Sequence, residues 1–169
     1  MRPPTLASDR SGAVGVIRHA VEALEAQGDR WDAVVYLQPT SPLRSCEHID
    51  AAVALFRSRA ADSVVTVIEV PHNMSPGSQL SMQVDGRVVP LASQEDRTFR
   101  RQDKPLGYAR NGPAVLVVSR SCVMEKNALY GERTYGMVMD HLDSMDVDRP
   151  EDLELIEAWI RWRKRKNGG

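Results

Sequence analysis

With 169 residues and 42% hydrophobic content, the chain can bury one core, and nothing in it requires a second large domain. Its 22 basic residues against 23 acidic ones give a formal net charge of -1, which excludes a global field favouring nucleic acid or an anionic membrane; any anion must be held locally. Cys46 and Cys122 stand alone and no secretory or long apolar segment occurs, a combination expected of a cytoplasmic protein in a reducing compartment.

Ser8 or Asp9 is a candidate cap for a first helix with Val14, Ile17, Val21 and Leu24 as its apolar stripe and Gly28 as its stop. The run Ala33-Val34-Val35-Tyr36-Leu37 reads as a buried strand, ending near Gln38. Ser45 caps a second helix with Ile49, Ala52, Val53 and Phe56 on one face, and Asp62 opens a β-branched strand from Ser63 to Val70. Strand, helix, strand units make parallel sheets with helices on both faces, so the class is α/β. From Pro71 to Pro105 prolines and glycines punctuate short pieces, and Gln79 to Val84 with Arg87 to Leu91 reads as a hairpin turning at Asp85-Gly86. A strand at about Ala114 to Ser119 and a last helix from Pro150 to about Lys166, with Leu153, Ile156 and Ile160 as its core stripe, complete the order. Trp159 and Trp162 on that helix read as packing or interface residues, and the basic tail from Arg161 to Lys166 suits a helix C-terminus.

Three segments carry chemistry. In Gln38-Pro39-Thr40-Ser41-Pro42-Leu43-Arg44, two prolines end the preceding strand abruptly and deliver an amide, two hydroxyls and a guanidinium to one edge of the sheet, where open α/β sheets bind ligands. Such groups suit an oxygen-rich anion; a stiff, solvated turn is the plainer alternative. In Met145-Asp146-Val147-Asp148, an extended backbone would put both carboxylates on one face, where they could share a hard divalent cation completed by substrate phosphates. Otherwise Asp148 merely favours the positive end of the following helix and Asp146 is solvated. The third segment runs from Arg100-Arg101-Gln102-Asp103 to Tyr108-Ala109-Arg110-Asn111-Gly112, where guanidinium groups could clamp a carboxylate or simply line an exposed loop. His19, His48, His72 and His141 have no ligand spacing.

Leu-Gln-Pro-Thr-Ser-Pro-Leu-Arg closely resembles the signature of the acylneuraminate cytidylyltransferases, the CMP-sialic acid synthetase family, and departs from the string usual in Kdo cytidylyltransferases. Asp-Val-Asp-Arg-Pro-Glu-Asp-Leu resembles that family's Asp-Ile-Asp-Thr-Pro-Glu-Asp, and Arg101, Tyr108 and Asn111 fit its third motif, with Ala109 standing where arginine is frequent and Arg110 beside it. The resemblance implies a Rossmann-like, mostly parallel sheet of the nucleotide-diphospho-sugar transferase type, with residues 1–169 forming one partial domain and an insertion at about 71–105 serving a homodimer. It implies that CTP and a nonulosonic acid are the substrates. Asp146 and Asp148 would hold Mg2+, and Arg101 would act with them in catalysis. Gln38, Thr40, Ser41, Arg44, Tyr108, Arg110 and Asn111 would bind the sugar, and Arg2, Ser8 and Asp9 would lie near the nucleotide. The family's Gly-rich triphosphate loop and the strand before it have no counterpart in these residues; without that central strand, sheet edges and helix faces should be left uncovered. Two alternatives follow, a non-catalytic remnant that dimerises or binds sugar acid and a Kdo-type sugar-nucleotide transferase. Arg149 replaces the family's usual Thr, forgoing a side-chain helix cap of about 1 kcal/mol.

Overall fold

The computed structural model describes residues 3–7, 12–91, 106–110 and 112–166. In chain order the elements are α1 (Ala13–Glu25), β1 (Ala33–Tyr36), α2 (Cys46–Ser58), β2 (Ser63–Glu69), β3 (Leu80–Met82) and β4 (Val88–Pro90). They continue as β5 (Tyr108–Ala109), β6 (Leu116–Ser119), α3 (Arg120–Met124), β7 (Thr134–Val138) and α4 (Pro150–Lys166).

The α/β class holds, but the sheet is not the mostly parallel one expected. β6 lies between β1 and β2 and is antiparallel to both, pairing Ala33 with Ser119 on one side and Ser63 with Val118 on the other. β1 and β2 therefore run in the same direction, as their helical crossover requires, without being neighbours. The parallel ladder is that of β2 with β7, from Ser63 against Thr134 to Val67 against Val138. β5 extends the sheet antiparallel at Ile68 and Glu69. Composition explains the insertion of β6. Val115, Leu116, Val117 and Val118 are all at most 1% exposed, so this strand must be flanked by strands and covered on both faces, whereas local periodicity says nothing about which strands flank it.

Alternation along β6 sends successive side chains to opposite faces. Val118 packs with Ile17 and Val21 of α1 and with Cys122 and Val123, while Val117 joins Ala52 of α2, Ala61 and Val64. Helices α1 and α3 thus cover one face and α2 the other. The N-cap of α1 is Gly12, with no side-chain cap bond, later than the expected Ser8 or Asp9, which lie outside the described residues. Gly28, at φ +102°, ends the turn after α1. For α2, Ser45 is the N-cap and its backbone N–H donates to His48 Nδ1 at 3.0 Å, the reciprocal bond of a capping box.

β7 and α3 are new relative to the sequence reading. β7 is set by Asp62, whose carboxylate accepts from the backbone N–H of Arg133 (3.1 Å) and from its guanidinium (3.2 Å), just before the β2–β7 ladder begins. The backbone N–H of Arg133, foremost, holds the Asp62 carboxyl below its usual range. Arg120 at the start of α3 grips the Glu25 carboxylate bidentately at 2.5 and 2.8 Å, tying α3 to the end of α1.

The last helix has the expected bounds but a narrower core contact. Ile156 is 3% exposed, whereas Leu153 and Ile160 are 52% and 37% exposed, because a single side of α4 meets the body. Trp159 and Trp162 stack on each other with centroids 4.6 Å apart. Arg149 supplies no N-cap side-chain bond, but the other half of a capping box is present: Asp152 Oδ2 accepts from the N–H groups of Asp148 (2.9 Å) and Arg149 (2.8 Å).

Two surfaces carry uncovered apolar residues. β1 pairs with β6 alone among the described strands, and its other side forms an apolar groove with α1, where Val35 and Trp31 are 38% and 43% exposed. The predicted hairpin is present as β3 and β4, turning with Gly86 at φ +84°. It forms its own two-stranded sheet. Residues 92–105 of the expected insertion lie outside the described residues. No helix among the described residues is long and apolar enough to cross a membrane.

Candidate active site

β1 carries the chain directly into Gln38, and the two prolines that follow have no N–H to continue pairing. The loop closes on itself instead, the Ser41 N–H bonding the Gln38 carbonyl at 3.3 Å. Arg44 locks this turn: Nη1 donates to the carbonyls of Gln38, Ser41 (3.0 Å) and Ala114 (3.3 Å). One amino group of its guanidinium is therefore committed to fixing the loop to the segment that leads into β6. Leu43 is buried, and the loop is rigid by covalent restriction and by hydrogen bonding together.

The second segment meets this loop from the far end of the chain. Ser41 is wholly buried and its hydroxyl donates to Asp146 Oδ1 at 3.4 Å. The neighbouring Thr40 carbonyl accepts the Val147 N–H at 2.8 Å. Asp146 Oδ1 also accepts from the Val147 N–H, at 3.2 Å. A third segment completes the junction: a Cβ placed on Gly112 would lie 2.3 Å from Asp146 Oδ2 and 2.7 Å from Gln38 Oε1. Three stretches far apart in sequence thus converge, and the Gln38 amide and the Asp146 carboxylate face the same few atoms of backbone.

The remaining predicted residues are placed less uniformly. Residues 145–148 form no strand, so alternation along an extended ladder does not set the directions of the two carboxylates. The segment is held instead by the Thr40 carbonyl at one point and by the start of α4 at another, leaving Asp146 half-buried and Asp148 exposed. Tyr108 pairs with Glu69 in β5 and is 51% exposed. The Arg110 guanidinium stacks over the Tyr130 ring, 4.8 Å from its centroid. Arg2, Ser8, Asp9, Arg101 and Asn111 lie outside the described residues.

The donor set fits a hard divalent cation. The bonds that reach Asp146 come from a hydroxyl and an amide, neither of which neutralises its charge. No cluster of three or more His, Cys, Asp or Glu occurs among the described residues, so the protein would offer a cation one or two carboxylates and leave the rest of its shell to water and substrate oxygens, as magnesium sites commonly do. Two contributors were not singled out from the sequence. Gly112 left a signal in the Asn-Gly dipeptide, whose second residue is suited to a left-handed backbone; Tyr130 left none.

No protein-family model matches the chain. It is 29% identical over 153 residues to an N-acylneuraminate cytidylyltransferase of Streptococcus agalactiae serotype III, covering 90% of this chain and 35% of that protein. It is 27% identical over 158 residues to a CMP-N,N'-diacetyllegionaminic acid synthase of Legionella pneumophila, covering 93% of this chain and 66% of that protein. The chain therefore spans about a third of the length of the first relative and about two thirds of the second. Among solved structures it is similar to a CMP:2-keto-3-deoxy-manno-octonic acid synthetase complexed with CTP, with a TM-score of 0.59 at 12% identity, covering 92% of this chain and 70% of that one. That structural likeness identifies the fold, and the sequence matches bear out the family resemblance.

Proposed function

Taking as premise that the chain is similar over most of its length to N-acylneuraminate cytidylyltransferases and CMP-legionaminic acid synthases, we propose that it forms the sugar-acid and metal-binding side of a CTP-dependent cytidylyltransferase. The anomeric hydroxyl of a nonulosonic acid attacks the α-phosphorus of CTP, the bond from that phosphorus to the bridging oxygen breaks, and pyrophosphate leaves as the CMP-sugar forms. The observation that carries this reading is the closure of the Gln38–Arg44 loop on Asp146, across 105 positions of sequence. Two motifs read separately from the sequence meet at one place.

Asp146 and Asp148 are the residues that would hold magnesium, which when bound supplies positive charge to the phosphate oxygens. The protein's own work is placement. The Gln38 amide and the Thr40 hydroxyl orient the polyhydroxy acid, whereas Ser41, expected from the sequence to bind the sugar, is wholly buried and holds Asp146 instead. Arg44 keeps that loop in its shape through three carbonyls and is in this reading a support for binding. The family resemblance assigns Tyr108, Arg110 and Asn111 to the sugar, Arg101 to the reaction itself, and Arg2, Ser8 and Asp9 to the nucleotide. No side-chain nucleophile is required, since the substrate provides it.

We also assign the hairpin to a homodimer contact. Leu80, Met82 and Val88 are 56%, 73% and 53% exposed on a two-stranded sheet standing apart from the main one, and burying such a face is favourable at roughly 25 cal/mol per Å2. A cytoplasmic location agrees with the isolated cysteines and with CTP as co-substrate.

The test is pyrophosphate release from CTP and Mg2+ with a panel of sialic, legionaminic, pseudaminic and Kdo sugars. Release with a nonulosonic acid, falling by on the order of 100-fold or more in Asp146→Ala, supports the reading. Preference for Kdo, or release indifferent to Asp146→Ala, contradicts it.

A further inference from the structure

We propose that Gly112 is a positioning residue of this site, the point on which the Asp146 carboxylate and the Gln38 amide are brought together; the inference rests on the reading of Asp146 as a metal-holding residue given above. Three glycines among the described residues have positive φ, and they are not equivalent. At Gly28 (φ +102°) and Gly86 (φ +84°) a Cβ would meet nothing within 4 Å, so those glycines serve the backbone alone. At Gly112 (φ +25°) the backbone also disfavours a side chain, but here the space is filled: Asp146 Oδ2 lies 2.3 Å and Gln38 Oε1 2.7 Å from the missing Cβ.

Ordinary van der Waals contact for a Cβ begins near 3.4 Å. Any side chain at position 112 would therefore drive the carboxylate back by about an ångström, and the amide with it. The carboxylate is not free to rotate away, since Asp146 is held on its other oxygen by Ser41 Oγ and the Val147 N–H. The backbone of Gln38 is fixed as well, its carbonyl pinned by Arg44, so its amide yields only by turning about its own side-chain bonds. The hydrogen-only surface of Gly112 thus fixes the separation between the group that holds the cation and the group that orients the sugar. Displacements of about 1 Å in such constellations cost on the order of 100-fold in rate, and disturbing what orients a metal ligand typically costs 10- to 100-fold in metal affinity.

The experiment is titration of the whole chain with Mn2+, as a paramagnetic substitute for magnesium, followed by the EPR signal of the free ion, together with thermal melting. The variants are Gly112→Ala, Gly28→Ala, Asp146→Ala and the double variant Gly112→Ala/Asp146→Ala. Gly112→Ala should weaken Mn2+ binding by about 10- to 100-fold. Gly28→Ala, which pays the same kind of backbone strain far from the site, should bind Mn2+ as the unaltered chain does. The melting penalty of Gly112→Ala should also shrink when Asp146 is already alanine, because the clash is then relieved. This second readout needs no metal, and where Gly112→Ala alone does not fold it is read as recovery of a melting transition in the double variant, whose absence, with Asp146→Ala alone folded, overturns the proposal. Unchanged Mn2+ affinity in Gly112→Ala, with affinity lost in Asp146→Ala, overturns the role of Gly112 and leaves the metal reading standing. A melting penalty that is the same in both backgrounds overturns it as well. Equal Mn2+ binding with and without Asp146 removes the metal reading, and this inference with it.

Discussion

β6 and the β3–β4 hairpin are made of the same material and treated oppositely. Leu116, Val117 and Val118 are at most 1% exposed, between two strands and under α1 and α2; Val88 and Val89 are 53% and 41% exposed on a sheet of two strands. Residue type dictates the extended backbone in both places, and only the surroundings decide whether the apolar surface is used. In β6 it holds together the fold that positions the site. In the hairpin it remains available, which is the physical ground for assigning it to contact with a second copy.

The sharpest way to break this comparison is to truncate both regions. Leu116→Ala should lower unfolding free energy by about 2–5 kcal/mol, read from chemical denaturation, since the void it leaves is enclosed by the Val65 and Val67 side of the sheet. In the hairpin, Leu80→Ser with Val88→Ser should change the stability of the isolated monomer by no more than about 0.5 kcal/mol for each substitution, while shifting sedimentation equilibrium from dimer to monomer. Should the hairpin variant unfold as readily as Leu116→Ala, its exposed face is part of the core of this chain; should sedimentation be unchanged, the dimer contact lies elsewhere.

The local elements were legible where one residue pattern determines one conformation. The strand at 33–36, the helix from Ser45, the hairpin at Asp85-Gly86 and the helix opening at Pro150 all follow from β-branching, caps and turn residues that act over a few positions. Neighbour order was not legible. That β6 enters between β1 and β2 depends on burial of both its faces, a property of the assembled sheet. β7 was missed because Gly136 interrupts its pattern, and its place is set by Arg133 bonding Asp62, 71 positions away. In the site, the loop after β1 and the Asp146 segment could each be marked by composition. Their meeting could not, and neither could the employment of Arg44 on three carbonyls or of Arg110 on Tyr130. Asp148 shows the limit of periodicity most plainly, since alternation applies only where a ladder exists.

The claim that organises the site is that the loop after β1 and the segment before α4 act as one unit. A double-mutant cycle of Gln38→Ala with Asp146→Asn, read as kcat/KM for pyrophosphate release from CTP and the preferred nonulosonic acid, measures that directly. Groups crowded against one backbone position, here Gly112, should show a coupling of about 1 kcal/mol or more. Effects that add to within about 0.5 kcal/mol would mean that the two motifs are neighbours without being partners, and the single site described above would have to be divided.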